Sequence, residues 1–69
     1  MNRATSFEDS IKNTGNGTAP NGAKYQVYIA FGSRFAVMRS TAEGAMVYGY
    51  FSNRNDAENW TIKDGDKPT

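Results

Sequence analysis

From Lys24 to Phe51 the chain alternates apolar and polar residues with period 2, in three runs parted by glycine-bearing turns. Such a pattern builds a sheet of short antiparallel strands. The run Lys24-Tyr-Gln-Val-Tyr-Ile-Ala-Phe31 is rich in β-branched and aromatic residues and ends at Gly32-Ser33, a pair suited to a tight hairpin. A second run, Arg34 to Ser40, ends at Thr41-Ala-Glu-Gly44, where Gly44 suits a left-handed backbone. The third run closes on Met46-Val-Tyr-Gly-Tyr-Phe51. Asn53 then reads as a helix N-cap with Asp56 three residues on, Ala57 and Trp60 form an apolar stripe, and Gly65 follows Lys63 as a stop. The prediction is an α+β fold: a three-stranded antiparallel sheet (about 24–31, 34–40 and 45–51) with one helix (about 54–63) packed on one face.

The front of the chain reads differently. Residues 13–23, NTGNGTAPNGA, hold little that can be buried and are expected to be a flexible linker. Upstream, a short helix over about 6–12 is suggested by a Thr5 or Ser6 cap, by Glu8 and Asp9 at the positive end of the dipole, and by Phe7 and Ile11 one turn apart. So short a helix forms only if Phe7 and Ile11 dock on something. The expected layout is therefore an N-terminal segment 1–12, a linker 13–23, a βββα domain 24–65 and a frayed tail 66–69.

With 69 residues and no Cys or His, the chain forms one domain with neither a disulfide nor the usual zinc ligands to staple it. The absence of an apolar run of spanning length or of signal-peptide type leads us to expect a soluble, cytoplasmic protein without membrane contact. Catalytic chemistry is sparse. Acid–base and nucleophilic work most often falls to His or Cys, and the carboxylates Glu8, Asp9, Glu43, Asp56, Glu58, Asp64 and Asp66 are scattered. Asp64-Gly65-Asp66 lacks the remaining ligands of a calcium loop, and Gly15-Asn-Gly17 lacks the strand and Lys-Ser/Thr of a phosphate loop. No enzyme, cofactor or metal is expected.

Strand alternation sorts the side chains. Tyr25, Val27, Ile29, Phe31, Phe35, Val37, Val47, Gly49 and Phe51 form the side expected under the helix, with Phe51 and Trp60 as its costliest residues to truncate. The other side carries Lys24, Gln26, Tyr28, Ala30, Arg34, Ala36, Met38, Met46, Tyr48 and Tyr50. A sheet covered on one side normally shows plain polar residues on the other, whereas three Tyr and two Met stand here. Tyr, Met and Arg are enriched where proteins bind. Tyr28, Met38, Met46, Tyr48 and Tyr50, edged by Lys24 and Arg34, are accordingly the candidate partner-binding residues. Three readings account for this face: the N-terminal helix covers it, the chain self-associates through it or through an edge strand, or a partner binds it. Tyr with Lys24, Arg34 and Arg39 suits single-stranded nucleic acid, but a net charge of +1 favours a protein partner, because phosphate neutralisation drives most nucleic-acid binding.

Two resemblances bear on function. Tyr48-Gly49-Tyr50-Phe51-Ser52-Asn53-Arg54-Asn55-Asp56-Ala57 resembles the L-G-x-F-x-T-x-x-E-A segment of AP2-type and integrase N-terminal DNA-binding domains. Those domains have three strands and a helix, and the resemblance implies that Lys24, Tyr28, Arg34, Met38 and Tyr48 face a DNA groove. In size, composition and layout the chain is also similar to small phage and mobile-element proteins, host-factor inhibitors and anti-CRISPR proteins among them. That resemblance implies a non-catalytic inhibitor of a host protein or complex.

Overall fold

The computed structural model describes residues 6–67. Helix α1 (Ser6–Thr14) leads into a four-stranded sheet of β1 (Asn16–Thr18), β2 (Lys24–Ile29), β3 (Phe35–Thr41) and β4 (Gly44–Phe51), and helix α2 (Arg54–Gly65) ends the fold. The strands lie in chain order, β1-β2-β3-β4, every pair antiparallel. The fold class is α+β as expected, with one strand more. No helix among the described residues is long and apolar enough to cross a membrane.

The extra strand lies inside the stretch expected to be a flexible linker. Asn16, Gly17 and Thr18 pair with Gln26, Tyr25 and Lys24. A tight turn joins the two strands: Gly22 N–H donates to the Ala19 carbonyl at 2.9 Å across Pro20 and Asn21, and Asn21 Oδ1 accepts from Ala23 N–H at 2.9 Å. Ala19 and Ala23 are buried. The segment is therefore held mainly by backbone hydrogen bonds, which leave no trace in apolar patterning.

Gly15 links α1 to this edge. It lies at φ 79°, donates its N–H to the Ile11 carbonyl at 2.9 Å and accepts from Val27 N–H at 2.7 Å. A Cβ there would stand 2.9 Å from the Val27 carbonyl oxygen. Gly15→Ala thus combines a left-handed alanine with a backbone clash and should destabilise the protein by about 2–4 kcal/mol, read as a lowered urea midpoint at unchanged m-value.

Both helices pack on the same side of the sheet. Phe7, Ile11, Tyr25, Val27, Val37 and Ala57 share one buried cluster with Ala19 and Ala23, and Phe35, Phe51, Trp60 and Ile62 pack against it half-buried. The Phe7 and Tyr25 ring centroids lie 5.6 Å apart. Room for Phe7 comes from two glycines, since a Cβ on Gly17 or Gly65 would press into its ring. Asn53 caps α2 as expected, its Oδ1 accepting from Asp56 N–H at 2.9 Å. Thr61, fully buried, satisfies its hydroxyl by donating to the Ala57 carbonyl at 2.8 Å. The chain stays anchored past α2, where Asn21 Nδ2 donates to the Lys67 carbonyl at 2.9 Å. Residues 1–5 of the expected N-terminal segment, with the Thr5 cap, and residues 68–69 of the expected tail lie outside the described residues.

The register corrects the assignment of faces in two places. Between β3 and β4, Val37 pairs with Gly49 but Met38 pairs with Val47, so Tyr48 is an extra residue, a β-bulge. A one-residue shift exchanges faces. Met46 therefore sits opposite Arg39 on the helix side, and Val47 sits opposite Met38 on the other side. At the β2–β3 hairpin the ladder ends at Ile29–Phe35, so the expected two-residue Gly32-Ser33 turn is replaced by a longer connection in which Gly32 and Ser33 both take positive φ. The five-residue connection carries Phe31 and Arg34 off the sheet, and Phe31 is 89% exposed rather than under the helix. Ile29, also expected in the core, is exposed.

Candidate functional site

The side of the sheet away from both helices is uncovered among the described residues, and its composition follows from the ladder. Tyr28, Ala36 and Tyr50 form one row; Gln26, Met38 and Val47 the next; Lys24, Ser40 and Ala45 the third. Strand β1 adds Asn16 beside Gln26 and Thr18 beside Lys24. Ala36 is 0% exposed although no helix lies over it. Its neighbours across the ladder are Tyr28 and Tyr50, on the two flanking strands. Tyr28 and Met38 are half-buried, and Tyr50 is exposed.

Four of the seven residues expected at the binding site, Lys24, Tyr28, Met38 and Tyr50, are brought together on this face. Arg34 stands at its end, in the hairpin, where it lines a hollow of about 410 Å³ with Phe31, Gly32 and Tyr50. Met46 and Tyr48 are not part of it, because the bulge turns them to the helix side. Of the set expected to face a DNA groove, Tyr48 is thus directed away and Arg34 stands off the strands. Val47 is the residue that strand alternation alone misses; only the bulge places it beside Met38. Among the described residues this face carries no carboxylate, since Glu8 and Asp9 lie on α1, Glu43 in the β3–β4 turn, and Asp56, Glu58, Asp64 and Asp66 on or next to α2.

On the helix side a second cluster forms around Arg39. Its Nη1 donates to the Tyr48 hydroxyl at 3.0 Å, and its guanidinium carbon lies 5.7 Å from the centre of the Tyr48 ring, which in turn is 5.8 Å from the Trp60 ring. The Tyr48 hydrogen bond favours the charged guanidinium. Tyr25, paired with Arg39, donates its hydroxyl to Asp64 Oδ2 at 2.6 Å. Asp64 therefore belongs to the packed structure. The bulge at Tyr48 and the pairing of Tyr25 with Arg39 create this cluster, and neither is visible in a period-2 pattern.

Burial, then the hydrogen bond to Asp64, raises the Tyr25 pKa above its ordinary 10.0. A pKa raised on folding means that the folded state holds the phenol proton more tightly than the unfolded state. Its contribution is complete below pH 10.0 and fades as pH rises toward and through the folded value. The urea midpoint should drop as pH rises above about 10, and Tyr25→Phe should remove much of that drop.

Among the described residues no group of three or more His, Cys, Asp or Glu side chains is placed to hold a metal ion. The open face offers ring faces, hydroxyls, a thioether and an ammonium group, which suit contact and hydrogen bonding. Comparison with protein-family models, with curated proteins and with solved structures gives no match for this chain.

Proposed function

We propose that this chain is a non-catalytic binding protein whose open sheet face, centred on Tyr28, Met38 and Tyr50, docks on a host protein or complex and blocks it in the cytoplasm, as small phage-encoded inhibitors do. The observation that carries the reading is the location of α1. A domain of this size gains from covering apolar surface, yet both helices pack on the opposite side and leave two tyrosines and a methionine facing outward. Tyrosine supplies large contact area at low entropy cost.

One observation favours a second reading, a nucleic-acid-binding module. The face carries Lys24, has Arg34 at its end and bears no carboxylate among the described residues, so it would not repel phosphates. Two cations neutralise few phosphates, however, and phosphate contacts dominate that kind of affinity.

The test is affinity capture from host lysate by the wild-type chain and by Tyr28→Ala/Met38→Ala, with circular dichroism to verify the fold of each. A partner retained by the wild type and lost by the folded double variant supports the proposal; equal retention by both contradicts it. A gel-shift series against salt decides the second reading. Binding to single-stranded or duplex DNA or RNA that falls steeply with salt would replace the protein partner with a nucleic acid.

A further inference from the structure

Strand β4 forms one edge of the sheet, and four of the six large apolar side chains exposed among the described residues lie on it: Met46, Val47, Tyr48 and Tyr50. They flank the edge on both sides, Met46 and Tyr48 toward the helices and Val47 and Tyr50 toward the open face. A ligand lying on either face covers only half of them. A strand added in the plane of the sheet covers both halves and also satisfies the free backbone groups of the edge.

Soluble proteins usually guard such an edge with charge, proline or short length. Strand β4 runs eight residues, Gly44-Ala-Met-Val-Tyr-Gly-Tyr-Phe51, with no charged residue and no proline; the bulge at Tyr48 is its one interruption. The opposite edge is guarded. Strand β1 has three residues and α1 lies against it, with the Ser10 and Thr14 hydroxyls donating to the Asn16 carbonyl.

We infer that β4 pairs antiparallel with β4 of a second copy of this chain, about a two-fold axis perpendicular to the sheet. Three features select a second copy as the occupant. An uncharged strand meets its own copy without like-charge repulsion. Apolar flanks on both sides of β4 face identical apolar flanks under the two-fold. One open edge per chain closes the assembly at two, whereas two open edges would propagate a fibre. The dimer has an eight-stranded sheet with all helices on one side, and its open faces join into one surface.

Sedimentation equilibrium of the wild type over a range of concentrations should return twice the monomer mass at high concentration and dissociation on dilution. Val47→Lys and Met46→Lys, each setting a charge on the edge, should each raise the dissociation constant at least tenfold. A wild type that stays monomeric at its highest soluble concentration overturns the inference, as does a dimer that both lysine variants leave intact. If a lysine variant fails to fold, a sample mixing labelled and unlabelled wild-type chains decides. Contacts between copies from β4 support the pairing, and a dimer without them excludes it. Tyr28→Ala, away from the edge, should leave the dimer unchanged, so failure of the dimer and failure of partner binding are separately readable.

Discussion

Phe7→Ala should leave much of the population unfolded under mild conditions. Truncating a buried aromatic costs about 3–5 kcal/mol. A chain of this length has a total stability of roughly 3–10 kcal/mol, at about 0.05–0.15 kcal/mol per residue. Phe7 is buried where α1, β1, β2 and α2 meet: its ring lies against Tyr25, Gly17 presents a bare backbone to it, and Gly65 makes space from α2. With the ring removed, α1 loses one of its two buried apolar contacts, and a nine-residue helix does not hold by itself. A urea titration with far-UV circular dichroism checks this, with Phe31→Ala as the control. Phe31 is almost fully exposed, so its loss should shift stability by no more than about 0.5 kcal/mol. Phe51 and Trp60, which the pattern marks as the costliest to truncate, are half-buried and should cost less than Phe7.

The second large effect is on binding. On the proposed reading, Tyr28 and Met38 lie at the centre of the contact, where truncating a tyrosine commonly costs 2 kcal/mol or more, roughly 30-fold in affinity. The double variant Tyr28→Ala/Met38→Ala should weaken partner binding by about 100-fold or more, measured by isothermal titration with the captured partner. Stability should change little by comparison, because both side chains are only half-buried on a face without a helix. Lys24→Ala, at the rim, should change affinity by less than about fivefold and act chiefly on the association rate.

Much of this fold is legible in the sequence because its three long strands and α2 carry strong local signals. Alternation in Lys24–Ile29 and the Asn53 cap each reflect a physical requirement that nearby residues meet by themselves. Three features are not legible. Strand β1 has the sequence Asn-Gly-Thr, and its place depends on backbone pairing to β2 and on the side of the sheet that α1 takes. Pro20 and Gly22, two positions apart, suit a tight turn and are the one local hint of that hairpin. The bulge at Tyr48 depends on how β4 sits against β3, so Met46, Val47 and Tyr48 exchange faces without any change in local pattern. The docking of Phe7 and Ile11 is a tertiary choice, and the space that decides it comes from Gly17 and Gly65, one before the sheet core and one at the end of the chain's last helix. The candidate site shares these limits. Tyr28, Met38, Tyr50 and Lys24 follow from alternation, whereas the exchange of Met46 and Tyr48 for Val47 does not.

Both helices lie on one side of the sheet and, among the described residues, leave the Tyr28–Met38–Tyr50 face open. Proton–proton distance measurement by NMR on the free protein tests this arrangement most directly. Cross-peaks are expected from the Phe7 ring to the Tyr25 ring and to Gly65, and from Ile11 to core residues such as Val27. Cross-peaks from Phe7 or Ile11 to Tyr28 or Met38 would place α1 over the tyrosine face and contradict it.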